Sequence, residues 1–184
     1  MAKNTERRAI DKILIMLGIA MTAVLLVIGA LAWYGSSFAT GMVKSQLSAQ
    51  HIYFPARDSE AYKALPAADQ QAMEPYLGQQ LVDGQQAKVY ADNFIAVHLS
   101  KMANGKTYAE VSNEASQNPS YQKLQTLKAT LFQGETLRGM LLGSGYAFWM
   151  FGMIAEYAAI AAFAGAVVMA LLVVLGFRHL AKLR

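Results

Sequence analysis

The stretch that decides the fold is ILIMLGIAMTAVLLVIGALAWY, from Ile13 to Tyr34. It contains no charged residue. A helix of this length would measure about 33 Å, which is enough to cross a hydrocarbon core of about 30 Å. We therefore expect a transmembrane helix over residues 13–34, preceded by a basic tail over residues 1–12.

The alternative for this stretch is the hydrophobic part of a cleaved signal peptide. Two features are typical of one: a basic segment before the run, with Lys3, Arg7, Arg8 and Lys12, and a small-residue sequence near its end, Ala30-Leu31-Ala32. The apolar run is, however, longer than the usual hydrophobic region of about 7–15 residues. We therefore expect the first helix to stay as a membrane anchor.

A second apolar tract lies near the other end of the chain. It is uncharged from Gly139 to Phe177 except at Glu156. Counted back from Arg178, about twenty residues of helix suffice to cross the bilayer. We therefore expect a second transmembrane helix over residues 157–177, with Glu156 at its outer edge and a basic tail over residues 178–184.

Residues 139–156, which we call the collar, precede this second span. The collar is apolar at a height where water or lipid headgroups are expected, and such a surface is typical of a protein interface. We interpret it as a helix that either continues the span or bends near Gly143 or Gly145. A third span over residues 139–155 is the alternative, but it would place the basic C-terminal tail outside and leave no residues for a turn around Glu156.

Composition and charge agree with a two-span membrane protein. Hydrophobic residues make up 55% of the 184 residues and charged residues 15%, against about 45–50% and about 25% in soluble proteins. Basic residues dominate both tails, whereas residues 35–138 carry equal numbers of basic and acidic residues. Because basic residues beside a span favour the cytoplasmic side, we expect both termini in the cytoplasm and an extracytoplasmic domain over residues 35–138. The net charge of +4 then favours contact with anionic lipid headgroups over nucleic acid.

Helix start and stop signals predict an all-α domain between the spans. Residues 51–78 contain three prolines and predict an extended entry with short helical pieces. The apolar positions from Leu81 to Met102 recur at helical spacing, with Asp83 and Gln86 as a capping box and Asn104-Gly105 as the stop.

Two further helices are expected after that stop. Thr107 and Glu110 form a second capping-box pattern, and Asn118-Pro119 ends the helix that it starts. Residues 120–132 then read as another helix, with an apolar side formed by Tyr121, Leu124, Leu127, Leu131 and Phe132.

The second span carries a stripe of small residues that predicts close helix packing. Ala158, Ala162, Ala166 and Ala170 repeat every four residues beside Gly165. The stripe pairs either with a partner or with the protein's own first span. Stripe and collar together form the predicted partner interface: Leu141, Leu142, Tyr146, Phe148, Trp149, Phe151, Glu156, Ala158, Ala162, Gly165 and Ala166.

The sequence offers no candidate for chemistry. It lacks cysteine, and its three histidines, His51, His98 and His179, lie far apart without metal-ligand spacing. Glu156 is the one carboxylate of the second apolar tract, which is insufficient for a proton relay. We therefore expect no catalytic residue, no metal, no cofactor and no small-molecule substrate, and we interpret Glu156 as solvated at the interface or paired with a partner.

Three segments carry a resemblance to a known group of proteins. These are QHIYFP, AKVYADNFIAVHLSKMANGKTYAEVS and LFQGETLRGMLLGSGYAFW, followed by the alanine-rich span. The chain resembles actinobacterial two-span membrane proteins, which often bear the label aromatic ring-opening dioxygenase. The metal-ligand set that this label requires is missing from the sequence.

Proteins of similar layout also occur as accessory subunits of the actinobacterial cytochrome bcc–aa3 respiratory supercomplex. The resemblance implies a non-catalytic subunit that packs in the membrane against larger cytochrome bcc or aa3 oxidase subunits. The alternative is a membrane-anchored extracytoplasmic binding or sensor protein, which would need a concave pocket in its outer domain.

Overall fold

The computed structural model describes the backbone of residues 2–182 and the side chains of residues 6–182, so Lys3 and Arg184 of the predicted basic tails lie outside the described side chains. The described residues are almost entirely helical and contain no β-strand, which confirms the all-α prediction. The helices are α1 (Ala2–Ala49), α2 (Glu60–Lys63), α3 (Ala67–Met73), α4 (Gly84–Tyr90), α5 (Ala96–Met102), α6 (Tyr108–Gln117), α7 (Gln122–Met140) and α8 (Phe148–Lys182). Two π-helical segments, π1 (Ala91–Ile95) and π2 (Leu141–Ala147), join α4 to α5 and α7 to α8.

The chain divides into two compact units. Unit 1 comprises the described parts of Met1–Phe38 and Gly152–Arg184, and unit 2 comprises Ala39–Phe151. The collar is therefore shared between the units, with residues 139–151 in unit 2 and residues 152–156 in unit 1.

Unit 1 consists of the larger parts of α1 and α8, residues 2–38 and 152–182, in antiparallel packing. A Cβ atom on Gly18 would lie 2.6 Å from Val173 Cγ2, and one on Gly29 would lie 2.7 Å from Phe163 Cε1. The inward positions recur at alternating spacings of three and four, the repeat of a coiled-coil seam. On α1 they are 15, 18, 22, 25, 29, 32 and 36, and on α8 they are 159, 162, 166, 169, 173 and 176.

The outer surface of unit 1 is apolar, and its helices are long and apolar enough to cross a membrane. Only 17% of the most apolar window of each helix is buried. A core helix of a soluble protein buries most of its apolar residues, whereas a transmembrane helix exposes them to lipid. The two predicted spans therefore have the length and composition that membrane insertion requires.

The structure buries only part of the predicted small-residue stripe between α1 and α8. Ala162 and Ala166 are buried between α1 and α8, but Ala158 and Ala170 are exposed. Ala159 completes the buried seam instead. A helical seam follows alternating steps of three and four, so a strict four-residue repeat drifts off the contact face.

Unit 2 is built around a buried cluster to which most of its helices contribute. Its largest fully buried side chains are Met73, Leu81, Leu131, Val43 and Val111. Leu81 is buried but precedes α4, so the predicted helical face begins too early; the helix itself starts after Asp83.

Both predicted capping boxes are present. Asp83 Oδ1 accepts a hydrogen bond from the backbone N–H of Gln86 at 2.8 Å, and Gln86 Oε1 accepts one from the backbone N–H of Asp83 at 3.3 Å. Thr107 Oγ1 and Glu110 Oε2 make the same exchange at the start of α6. These reciprocal bonds satisfy amides that have no partner within the first turn of a helix, so both starts are fixed locally.

The segment before α4 is irregular, as its prolines predict. Tyr53 and Gln80 form an isolated antiparallel bridge, supported by a 2.9 Å hydrogen bond from the Leu81 amide to the Ile52 carbonyl. Phe54 is buried and packs its ring against Tyr76 and Tyr90, each with 5.3 Å between centroids. QHIYFP therefore serves as an anchor that closes the domain onto its own core.

The helix expected to end at Phe132 does not end there. It runs from Gln122 through π2 to Lys182, so the collar continues the last helix. Tyr121 and Phe132 are exposed, and only Leu131 of the predicted apolar side is fully buried. No Gly-Pro or Asn-Pro signal follows Phe132, which is why the helix is able to continue.

Candidate functional site

The part of the collar in unit 2 has an inward face that belongs to the domain core. Leu141 is only 3% exposed. A Cβ atom on Gly145 would lie 3.1 Å from Ala87 Cβ, and one on Gly84 would lie 2.4 Å from Trp149 Cβ, so α4 and the collar approach closely through two glycines. Leu141 and Trp149 are therefore engaged by the chain itself.

The opposite face of the same segment is apolar and uncovered. Met140 is 62% exposed, Phe148 36% and Phe151 69%. The positions between them on this face, Gly143, Ser144 and Ala147, are also exposed and uncharged. This outward collar face, which we define as Met140, Ala147, Phe148 and Phe151, presents aromatic and methionine side chains with no charged residue among them.

Tyr146 and Leu142 lie between the two faces. Both are half-buried. The Tyr146 ring stacks on Trp149 with 6.4 Å between centroids and lies 5.5 Å from Lys88 Nζ. A cation over the face of an aromatic ring is attracted by the ring's quadrupole, so Lys88 helps to fix the Tyr146 ring.

The predicted interface residues of unit 1 also divide into buried and exposed positions. Ala162 and Ala166 are buried against α1, and a Cβ atom on Gly165 would lie 3.5 Å from Leu25. Ala158 is exposed and Glu156 is half-buried. The small residues thus pair the protein's own two helices, which was one of the two expected roles, and the eleven predicted residues do not form one surface. Their contact with a partner stays a prediction.

An ion cluster in unit 2 joins π1 to the end of α7. Asp92 Oδ2 lies 2.6 Å from Lys88 Nζ, and Asp92 Oδ1 lies 3.4 Å from Arg138 Nη2. Arg138 Nη1 also lies 3.2 Å from Glu135 Oε2, while its Nε atom is buried without a hydrogen-bond partner among the described residues. Sequence reasoning missed this cluster, although Lys88 and Asp92 have the four-residue spacing of a helical ion pair.

The cluster shifts the pKa values of Asp92 and Lys88. Burial of the Asp92 carboxyl opposes its ionisation, but the hydrogen bonds and charges of Lys88 and Arg138 outweigh burial and hold the pKa of Asp92 below its ordinary value. The hydrogen bond to Asp92 raises the pKa of Lys88. Both shifts favour the charged forms at neutral pH, so the cluster ties the domain together as an ion network.

The replacement Asp92→Asn should destabilise unit 2 at neutral pH and lose its effect in acid. Because the folded pKa of Asp92 is lowered, its contribution is present above the unfolded value of about 3.9 and disappears as pH falls through the folded pKa. We expect the melting temperature of the purified chain to fall by about 2–4 °C at pH 7. Thermal melts at pH 7, 5 and 3 would measure this, with the exposed Asp58→Asn as control; an equal loss at pH 3 would contradict the assignment.

The histidines show no arrangement for metal binding. Among residues 2–182, no group of three His, Cys, Asp or Glu side chains is placed to hold a metal ion. His98 Nδ1 donates to the Phe94 carbonyl at 2.8 Å, and its ring packs on the Phe94 ring at 4.4 Å. His51 follows the end of α1 with a φ of 51°, in the left-handed region that glycine usually occupies at a helix end.

Unit 2 also has an open groove of about 510 Å³ between α5, α6 and α7. Leu99 and Leu131 form part of its wall, and Thr107, Glu135 and Arg138 supply polar groups. The volume of this groove is within the range of small-molecule sites. Two of its polar side chains, Glu135 and Arg138, already form an ion pair with each other.

Comparison with protein-family models, curated proteins and solved structures finds no match. Of the surfaces described above, the outward collar face is the one with exposed aromatic side chains and no internal role.

Proposed function

We propose that the protein is a non-catalytic accessory subunit of a membrane respiratory assembly, of the cytochrome bcc–aa3 type that the sequence resemblance implies. The outward collar face carries the proposal, because it exposes Phe148, Phe151 and Met140 without a covering element in unit 2. Aromatic and methionine side chains are enriched in protein interfaces, where a few of them supply most of the binding energy. The protein would then stabilise the assembly without holding a redox centre.

The proposed topology follows from charge and from the two apolar helices. Residues 13–34 and 157–177 cross the cell membrane, both basic termini face the cytoplasm, and unit 2 faces outward. Larger membrane subunits and the lipid bilayer are the partners, and neither nucleic acid nor a small-molecule substrate is required.

The double replacement Phe148→Ser/Phe151→Ser should release the protein from its assembly. Losing two exposed aromatic anchors from an interface costs about 2 kcal/mol or more in total, which corresponds to at least a tenfold loss of affinity. Affinity purification of the tagged full-length chain from native membranes, followed by haem absorbance and identification of the copurified subunits, measures the loss. Phe132→Ser is a matched control, because Phe132 is 57% exposed and lies on α7 away from the collar.

Photocrosslinking from position 151 in native membranes distinguishes the outcomes. A crosslink to one large haem-bearing or oxidase subunit would support the proposal and identify the contact. Crosslinks to lipid alone, or normal copurification of the double variant, would contradict it, because the outward collar face would then be a lipid-facing surface.

A second candidate function is a membrane-anchored binding or sensor protein, favoured by the open groove between α5, α6 and α7. Its ligand would contact Thr107, Glu135 and Arg138, the polar groups of that groove. This alternative predicts that the purified full-length chain acts alone and that Arg138→Gln removes its ligand response, whereas the collar double variant keeps it.

A further inference from the structure

A second groove lies within unit 1, between α1 and α8, near their basic ends. It has a volume of about 300 Å³. Its walls are formed by apolar side chains and glycines: Leu14, Ile15, Gly18, Met169, Leu172, Val173 and Gly176. Its two polar residues, Asp11 and His179, lie together at one end, which we call the mouth. The groove is thus apolar along its length and polar at its mouth.

Two glycines bring α1 and α8 close together beside the groove. A Cβ atom on Gly18 would lie 2.6 Å from Val173 Cγ2, and one on Gly176 would lie 2.9 Å from Ile15 Cγ1. These glycines supply no side chain, whereas Leu14 and Leu172 stand exposed on the rims. Larger residues at positions 18 and 176 would push the two helices apart.

The ends of α1 and α8 beside the mouth of the groove carry a net positive charge. Residues 6–12 and 178–182 contain five arginine and lysine side chains, Arg7, Arg8, Lys12, Arg178 and Lys182, and two carboxylates, Glu6 and Asp11. His179 Nε2 lies 3.9 Å from Asp11 Oδ2, so this acid is within ion-pair distance whenever His179 is protonated. None of the five basic side chains makes an ion pair within the described part of the chain.

We propose that this groove binds one anionic phospholipid of the surrounding bilayer. One acyl chain lies in the apolar groove, and the phosphate lies at the mouth against Arg7 and Lys182, which are exposed and lie one helical turn beyond Asp11 and His179 on the same helix faces. The charge at the mouth complements an anionic headgroup, and each basic residue near the surface adds to the attraction. The proposal rests on membrane insertion of α1 and α8, and it is independent of the identity of the protein partner.

The dimensions of the groove suit a segment of an acyl chain. From Asp11 to Gly18 the groove extends about 10 Å along α1, and its volume is about 300 Å³. An acyl chain is a single methylene wide, so a segment of it lies along a groove of this length and the rest of it extends into the bilayer.

Native mass spectrometry of the full-length chain tests the proposal. The chain is reconstituted in vesicles of phosphatidylcholine with 20% phosphatidylglycerol, which a flotation assay checks for insertion, and it is then extracted in mild detergent. We expect one phosphatidylglycerol to be retained per chain, in preference to phosphatidylcholine. The double variant Arg7→Gln/Lys182→Gln should reduce this retention roughly tenfold.

Two further variants separate charge from shape. Leu172→Trp should fill the groove and remove the retained lipid while leaving the basic mouth intact. Lys44→Gln/Lys123→Gln removes the same charge from exposed positions of unit 2 and should change nothing. Equal retention of the two lipids, an unaffected Arg7/Lys182 variant or undiminished binding by Leu172→Trp would overturn the proposal. Failure of the wild-type chain to float with vesicles would instead overturn membrane insertion.

Discussion

Replacing Gly84 with alanine should lower the melting temperature of the purified chain by about 2–12 °C. The new Cβ would lie 2.4 Å from Trp149 Cβ and 2.5 Å from Trp149 Cγ. These atoms are bound close to the backbone of α8, so rotation of the Trp149 ring cannot relieve the contact. Overpacking of this kind costs about 1–3 kcal/mol, and each kcal/mol corresponds to about 2–4 °C in a chain of this size.

Two other glycines provide controls for this prediction. Gly139→Ala should be neutral or stabilising by up to about 1 kcal/mol, because no atom would lie within 4 Å of the new Cβ and alanine favours a helix. Gly134→Ala should fall between the two, since its nearest neighbours are the terminal methyl groups of Leu99, which are able to rotate.

Thermal unfolding followed by circular dichroism would measure the melting temperatures of the three glycine variants. Tryptophan fluorescence in a Trp33→Phe background would report on Trp149 alone. A Gly84→Ala variant as stable as the wild type would show that α4 and the collar do not pack as closely as described.

Replacing Leu141 with alanine should cost about 2–5 kcal/mol, whereas Met140→Ala should change stability by no more than about 0.5 kcal/mol. The two residues are neighbours in the chain, but Leu141 is 3% exposed and Met140 is 62% exposed. The first replacement leaves a cavity in the domain core. The second only shortens a side chain that is mostly exposed.

The same pair separates folding from assembly. If the proposed function is right, Met140→Ala should weaken copurification with the assembly while leaving the melting temperature of the isolated chain unchanged. Leu141→Ala should lower the melting temperature first and reduce copurification only as a result. Equal melting temperatures for the two variants would refute the two-faced description of the collar.

The helix starts were predictable from sequence because their causes are local. Asp83 with Gln86 and Thr107 with Glu110 each satisfy amides within one turn of the helix, so the four residues contain the whole interaction. The end of α7 was not predictable in this way, because the chain after Phe132 lacks a stop signal and the helix simply continues.

The sequence predicted the collar as an apolar segment, but it did not predict which face of the collar is exposed. An uninterrupted apolar run has no polar positions to mark its outer side, so the periodicity that identifies a buried face is missing from the collar. The π2 segment adds to this, since its wider turn changes which positions share a face before and after it. The Lys88–Asp92–Arg138 cluster needed the tertiary structure as well, because Arg138 reaches Asp92 from a different helix.

By itself, the sequence determined the helical class, the two apolar helices, the capped starts of α4 and α6, and the charge at the chain ends. Each of these depends on residues close together in the chain or on composition alone. The tertiary structure decided which apolar residues remain uncovered: Leu141 and Trp149 are taken up by the domain core, and Met140, Phe148 and Phe151 are left outside. The physical reason is that burial depends on the neighbouring helices that a side chain meets, and the close approach at Gly84 and Gly145 places α4 against one face of the collar and leaves the other bare.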